Sequence, residues 1–149
     1  ILEIRDTKLI PLKEELSFLN AYIFLLKERF GKSIEVQIDI PKDIDHCKIV
    51  PLSLQILLEN AIKHNIISAK QPLKIEVFME GDCTLVVRNN LQKKRQAMPS
   101  TKVGLENIKS RYAFFSEEKV VIQKTKEFYS VRLPLIQMES NKLGQLTVN

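Results

Sequence analysis

The stretch LQILLENAIKHN, from Leu54 to Asn65, has the pattern of a buried helix that carries a group of polar side chains. Residues three and four apart lie on one side of a helix, so Asn60, Lys63 and His64 share a face and Glu59 can pair with Lys63. Two interpretations fit this face. It is the solvated stripe of an ordinary amphipathic helix, or it is a cluster directed at an anionic ligand and a metal ion. The spacing alone does not decide between them.

The composition is that of a soluble globular protein. The chain has 149 residues, of which 44% are hydrophobic and 28% charged, and this suits one domain with one sizeable core. No apolar run approaches the roughly 20 residues that span a bilayer, and no secretory leader opens the chain. Cys47 and Cys83 stand far apart and make no zinc set with the two histidines, so we expect reduced core residues.

The net charge of +5 comes from basic residues that are scattered along the chain, apart from the run Lys93, Lys94 and Arg95. No nucleic-acid motif accompanies this charge, and no aromatic residues are interleaved with it. It therefore indicates a weak preference for anions and no nucleic-acid partner.

An amphipathic helix is predicted before the opening stretch. Its apolar residues recur at alternating steps of four and three, and they are Leu12, Leu16, Leu19, Ile23, Leu26 and Phe30. Gly31 ends this helix. We expect a seam of about 20 residues to dock on its own domain, although the same pattern could pack against another chain.

Strand patterns lie on both sides of the opening stretch. The alternating segment SIEVQIDI, residues 33–40, predicts a half-buried strand. Pro51 suits the first turn of the helix that follows, which we expect to run to about Ser68. The segments 73–81 and 83–89 then predict a hairpin.

The second half of the chain begins with a polar loop at residues 90–102, and a loop of about a dozen residues in a compact domain is more often functional or mobile than incidental. A helix follows from Gly104, and then a strand pair at 119–125 and 128–135. Hairpins with helices gathered on one face predict an α+β fold. We expect a two-layer sandwich with a mixed, mainly antiparallel sheet, preceded by an N-terminal helix.

Three segments in this order resemble the ATP-binding domain of LytS-like sensor histidine kinases, in the GHKL superfamily. Residues 10–31 resemble the helix before the catalytic domain, VPLSLQILLENAIKHN at 50–65 resembles the N box, and VGLENIKSRY at 103–112 resembles the last glycine box with its helix. Together they frame residues 9–133. The resemblance implies a Bergerat-type sandwich.

The resemblance also implies where the segments of the chain begin and end. Residues 1–32 would follow phosphoacceptor helices that this chain lacks, 33–136 would form the ATP-binding domain, and 137–149 would be a flexible tail.

The N-box resemblance gives the polar face a function. It implies that Asn60 binds the Mg²⁺ of Mg·ATP, and one amide oxygen is enough because Mg²⁺ keeps phosphate and water ligands as well. Glu59 matches the acidic residue that polarises a water or the attacking nucleophile. Lys63 and His64 match positions that face the phosphates.

The other nucleotide contacts also follow from the resemblance, and they are Asn89, Lys102, Gly104, Leu105 and Asn107. The helix that begins at Gly104 adds a physical reason, because its free N–H groups and positive dipole end attract phosphate. The loop before it would be the ATP lid, with Lys93, Lys94 and Arg95 as further candidate contacts. A solvated charge run is the simpler interpretation of those three.

The sequence departs from the family in two places. The adenine-binding box reads VRNNL, so Asn89 stands where the family has aspartate and Leu91 where it has glycine. An asparagine oxygen still accepts a hydrogen bond, although without a carboxylate's charge, so we expect weakened binding. The segment STKVGL keeps only Gly104 of the usual glycines.

Taken together, the resemblance implies a cytoplasmic kinase domain that binds ATP and Mg²⁺ and phosphorylates a histidine on upstream helices. The full-length protein would be a homodimer anchored in the bacterial inner membrane, with a response regulator as partner. His46 and His64 are outside the phosphoacceptor context, so we expect the chain not to phosphorylate itself. Two alternatives stay open: a nucleotide-sensing or interaction module with little kinase activity, and an unrelated sandwich that acts as a structural adaptor.

Overall fold

The computed structural model describes residues 8–94 and 103–137, which form two sheets and three helices. The helices are α1 (Leu12–Phe30), α2 (Ser53–His64) and α3 (Val103–Phe115), and a short 3-10 turn at Gly31–Ser33 follows α1. The strands are β1 (Ile10–Pro11), β2 (Ile34–Asp39), β3 (Cys47–Ile49), β4 (Leu73–Glu80), β5 (Thr84–Asn90), β6 (Val121–Lys124), β7 (Phe128–Pro134) and β8 (Ile136–Gln137).

The larger sheet has five strands in the order β2-β4-β5-β7-β6. Its β2–β4 pair is parallel and its other pairs are antiparallel, so the predicted mixed, mainly antiparallel sheet is confirmed. The hairpin between β4 and β5 turns at Gly81, whose φ of 64° is a left-handed conformation that favours glycine. A small sheet with the order β1-β3-β8 lies beside it.

One face of the larger sheet packs against the helices. Leu73, Ile75 and Val77 of β4 are buried, whereas Lys74 and Glu76 between them are more exposed. This alternation places the apolar side chains on one side of the sheet, because successive residues of a strand point to opposite faces. The predicted two-layer α+β arrangement is therefore confirmed.

Helix α1 packs on the same core as α2 and the sheet. The buried members of its seam are Leu12, Leu19, Ile23 and Leu26. The helix ends as predicted at Gly31, which has φ 57° and whose N–H bonds to the Lys27 carbonyl. Within residues 8–94 and 103–137, no helix is both long enough and apolar enough to cross a lipid bilayer.

Helix α2 ends earlier than predicted, at His64 rather than near Ser68. Asn65 is extended, and its side-chain Nδ2 donates to the Ala61 carbonyl at 2.8 Å. That carbonyl would accept the backbone N–H of residue 65 in a continuing helix, so the side chain replaces the backbone bond and stops the helix.

The small sheet was not predicted, because strands of two or three residues have no readable alternation. Residues 138–149 of the expected tail lie outside the described residues. Its first residue, Gln137, belongs to β8 and pairs with Cys47 of β3.

Candidate functional site

The carboxyl-terminal half of α2 carries the predicted polar face. Asn60 and His64 are half-buried, while Glu59 and Lys63 are exposed. The possible pairing of Glu59 with Lys63 is not present in the described part of the chain. Glu59 Oε1 instead accepts from Gln55 Nε2 at 3.1 Å. Among the same residues, the Asn60 amide makes no hydrogen bond to the protein, so it can bind an external partner.

Gly104 brings the beginning of α3 against α2. A Cβ atom at Gly104 would lie 3.3 Å from Cγ2 of Ile56, which is closer than ordinary van der Waals contact. The missing side chain therefore allows the two helices to approach closely. Asn60 follows Ile56 by one helical turn on the same face of α2, about 6 Å along the axis.

The two helices run in opposite directions at this contact. Ser53, at the start of α2, hydrogen-bonds Tyr112 near the end of α3, whereas Ile56 contacts Gly104 near its start. Moving along α2 towards Asn60 therefore leads to the amino end of α3. Two motifs that are distant in sequence are brought together at this point.

The other predicted residues of α3 differ in exposure. Leu105 is half-buried and packs against the core, and Asn107 is exposed. Lys102 and Arg95 lie outside the described residues.

The segment after β5 is fastened to the end of α2. Asn65 Oδ1 accepts from the Gln92 N–H at 2.7 Å, and the Ile66 N–H donates to the Gln92 carbonyl at 2.8 Å. Gln92 Nε2 donates in turn to the carbonyls of Ile66 and Gln71, at 3.0 and 2.9 Å. The beginning of the predicted lid is thus held beside His64.

Positive charge gathers at this end of α2. Burial lowers the pKa of His64, and the neighbouring charges of Lys63 and Lys94 lower it further. The Lys94 N–H also lies 3.5 Å from the His64 carbonyl oxygen. The imidazole is therefore held towards its neutral form, and the two ammonium groups make the surroundings favourable for an anion.

Asn89 lies on the core-facing side of β5, where it is 5% exposed. Its neighbours across the sheet are Ile75 and Tyr129. Asn89 Nδ2 donates to the Asn90 carbonyl at 2.8 Å, and Oδ1 accepts no hydrogen bond from the described residues. The side chain therefore presents an acceptor, as the adenine assignment requires.

Sequence reasoning did not identify the three polar residues that meet at the amino end of α2, which are Glu15 of α1, Ser53 of α2 and Tyr112 of α3. Glu15 accepts from two backbone N–H groups there, and Ser53 bonds Tyr112. The signal for Glu15 was its spacing, three residues after Leu12 and four before Leu19, which places it on the apolar face of α1. Gln92 gave no signal, because side chains of irregular segments follow no period.

A cavity of about 490 Å³ lies on the other face of the sheet, over β2, β4 and β5. It contains none of the predicted site residues. The cation that lines it, Arg88, is already paired with both carboxylate oxygens of Glu76 and lies over the rings of Phe78 and Phe128. The cavity is therefore not where the polar residues of the site converge.

Replacing Asn65 by alanine should loosen the start of the predicted lid, because the Gln92 N–H loses its acceptor. We expect faster hydrogen exchange at the Gln92 amide and a loss of about 1–3 kcal/mol in the free energy of unfolding. Amide exchange followed by NMR measures the first and chemical denaturation the second. Asn20→Ala, at an exposed position of α1, is the control. Unchanged protection of Gln92 would contradict this role of Asn65.

Comparison with known proteins relates this arrangement to a family. No protein-family model matches the chain. Sensor protein LytS of Bacillus subtilis is 35% identical over 74 residues, which is 50% of this chain and 12% of LytS. The chain therefore spans about an eighth of the length of that relative.

Solved structures show the same fold. The cytoplasmic segment of histidine kinase QseC matches with a TM-score of 0.60 and 17% identity, over 89% of this chain and 80% of that one. The catalytic domain of histidine kinase ThkA matches with a TM-score of 0.58 and 13% identity, over 89% and 99%. The chain is therefore a homologue of LytS-type sensor proteins with the fold of a histidine kinase catalytic domain.

Proposed function

We propose that the chain is the ATP-binding catalytic domain of a two-component sensor histidine kinase. It transfers the γ-phosphoryl group of ATP to a histidine on a helical segment outside this chain. The observation that carries the proposal is the contact between Ile56 and Gly104, because it brings the Asn60 face of α2 to the amino end of α3. The amide proposed to bind the metal and the first backbone N–H groups of α3, which have no partner within the helix, then lie near one another.

The phosphates are proposed to bind at this meeting point. The first N–H groups of α3 lack partners within the helix and lie at its positive dipole end, so they favour an anion. Lys63 and His64 extend the site along α2, and Lys94 adds positive charge nearby. Leu105 and Asn107 remain proposed contacts on the α3 side of the site, and Lys102, which lies outside the described residues, remains a contact that the resemblance implies.

The Asn60 side chain fits a magnesium ligand. It is half-buried and, within the described ranges, bonds no protein group, so its amide oxygen is available to a hard cation. Bound Mg²⁺ would neutralise charge on the phosphates. Asn60 would therefore hold the nucleotide in one orientation, which is the protein's main contribution to phosphoryl transfer.

Glu59 is proposed to act on the incoming histidine. Its carboxylate is exposed, so an imidazole from another segment can reach it, and the bond from Gln55 restricts its orientation. A carboxylate placed there would accept the imidazole N–H that points away from the phosphorus and orient the attacking nitrogen.

Adenine is proposed to bind at Asn89, whose Oδ1 would accept a hydrogen bond from the exocyclic amino group. Asn89 is 5% exposed, so a purine carbonyl at that position would leave a buried acceptor unpaired, and the bond would distinguish an amino group from a carbonyl. A neutral amide replaces the family's carboxylate here, which reduces the strength of the bond.

The setting of the whole protein is also a proposal, because the chain covers a small part of LytS. We propose that residues 1–32 connect this domain to phosphoacceptor helices in a homodimer, with residues 33–136 binding ATP. The domain would lie in the cytoplasm of a protein anchored in the inner membrane and would act with a response regulator.

Asn60→Ala should remove the Mg²⁺ dependence of ATP binding while the fold is kept. We expect the affinity for Mg·ATP to fall by about tenfold, equivalent to about 1.4 kcal/mol, and the unfolding free energy to change by less than about 0.5 kcal/mol. Calorimetric titration with ATP, with and without Mg²⁺, measures this, and Asn20→Ala is the control. Equal Mg²⁺ dependence in variant and parent would remove Asn60 from the site.

Asn89→Leu should weaken ATP binding several-fold, since a neutral hydrogen bond is worth about 0.5–1.5 kcal/mol. Asn89→Asp should preserve or improve it, because the carboxylate restores a charged acceptor. GTP is the control nucleotide, because its carbonyl oxygen cannot donate a hydrogen bond to Asn89. The loss of affinity in Asn89→Leu should therefore be specific to ATP. If Asn89→Leu binds ATP as well as the parent, the adenine assignment is wrong.

Phosphoryl transfer is tested with γ-labelled ATP on this chain and on a form extended by the upstream helices. We expect no acid-labile phosphohistidine on the chain alone and labelling of the extended protein. Glu59→Gln should slow that labelling about 100-fold or more while changing ATP affinity little. Strong labelling of His46 or His64 would contradict the proposal, and an extended protein that binds ATP without transfer would favour a nucleotide-sensing module.

A further inference from the structure

The first turn of α2 is capped by another helix. Leu52 precedes α2 with φ 67° and ψ 7°, a left-handed conformation that is costly for leucine, and its side chain gives no cap. Glu15 of α1 provides the acceptors instead: its Oε1 lies 3.0 Å from the Leu52 nitrogen and its Oε2 lies 3.2 Å from the Leu54 nitrogen. One carboxylate therefore holds both the turn into α2 and the start of the helix.

Glu15 is buried at the contact between α1 and the start of α2. It is 2% exposed and lies on the apolar face of α1. Burial raises the pKa of its carboxyl group, and the hydrogen bonds from the backbone of Leu54 and Leu52 lower it. A buried carboxylate is costly unless it is hydrogen-bonded, and the positive end of α2 is the group that compensates it.

The same turn is held from the opposite side by α3. Ser53 Oγ lies 3.0 Å from the Tyr112 hydroxyl and donates to the Val50 carbonyl at 2.6 Å. The Val50 N–H lies 3.4 Å from the same hydroxyl. Burial raises the pKa of Tyr112 well above its ordinary value, so this hydroxyl keeps its proton and stays a neutral partner.

These contacts define the position of α2 relative to both neighbouring helices. Glu15 fixes the helix along its axis, because its two oxygens bond two backbone N–H groups of one turn. Tyr112 ties that turn to the helix whose amino end faces Asn60. A shift of α2 by one hydrogen bond would move Asn60 by about 1.5 Å, which is enough to lose a metal ligand.

We propose that Glu15 is a positioning residue of the nucleotide site, in addition to its contribution to stability. By capping α2 from α1, it keeps Asn60 at the amino end of α3, and it makes the placement of Asn60 depend on α1. This inference rests on the proposed function, because it takes Asn60 to bind Mg·ATP.

The test compares Glu15→Gln with two controls in the wild-type background. Glutamine keeps the shape of the side chain but places an NH₂ group against a backbone donor. Glu14→Gln changes an exposed neighbour, and Leu26→Ala creates a cavity in the buried face of α1 at a position about 16 Å from Glu15 along the helix axis. Each variant is titrated with Mg·ATP under conditions in which circular dichroism shows it to be folded.

We expect Glu15→Gln to bind Mg·ATP about fivefold or more weakly than the parent, whereas both controls bind as the parent does. A solely structural role would make Glu15→Gln behave like Leu26→Ala, with lower stability and unchanged affinity, and that result would overturn the inference. Failure of the parent to bind Mg·ATP would overturn the proposed function instead, and with it the basis of this inference.

If Glu15→Gln does not fold, a measurement on the parent protein tests the same inference. If the Glu15 contact favours nucleotide binding, then binding must favour the contact by the same factor. Saturation with Mg·ATP should therefore slow hydrogen exchange at the amides of Leu52 and Leu54 about fivefold beyond the slowing at Ile122 in β6. Equal slowing at all three amides would overturn the inference.

Discussion

The structure depends on one requirement, which is that α2 contributes to the core and to the site at once. Leu54 and Leu58 are fully buried against the sheet, while Asn60 and Lys63 in the following turn lie on the polar face. A helix in this position has few ways to move without exposing its leucines. Its rotation is therefore set by hydrophobic burial, and this fixes the direction in which Asn60 points.

Packing sets the rotation of α2, and hydrogen bonds at its two ends fix its position relative to the neighbouring elements. At the amino end, Glu15 and Tyr112 attach the helix to α1 and α3. At the carboxyl end, Asn65 stops the helix and holds Gln92, so the segment that leads into the predicted lid begins at a fixed point. The proposed site residues of α2, Glu59, Asn60, Lys63 and His64, thus lie between two anchored ends of one helix.

Sequence reasoning identified the three helices, the five strands of the larger sheet and the polar face because these follow from local sequence patterns. The seam of α1, the hairpin at Gly81 and the shared face of Asn60 and His64 are local regularities of spacing. The roles of Asn60 and Asn89 came from the family resemblance, since spacing alone did not exclude a solvated stripe, which is the usual interpretation of such a face. Those two roles remain proposals.

The remaining features depend on contacts between distant residues and could not be read from local patterns. Glu15 lies on the apolar face of α1, but its partners at the start of α2 are 37 and 39 residues further along and cannot be read from that spacing. Asn65 binds Gln92, which lies 27 residues further along, and the closeness of Gly104 to Ile56 depends on the packing of two helices. Long-range contacts of this kind are set by tertiary structure and override local propensity.

The central claim is that one nucleotide site forms where α2, α3 and the end of β5 meet. Amide chemical shifts of the isotope-labelled chain during titration with Mg·ATP test it most directly. We expect the largest changes at residues 59–65, 89–94 and 104–107, and smaller changes on the opposite face of the sheet. Changes centred on Asp39, Phe78 and Arg88, which line the cavity on that opposite face, or no changes at all, would contradict the claim.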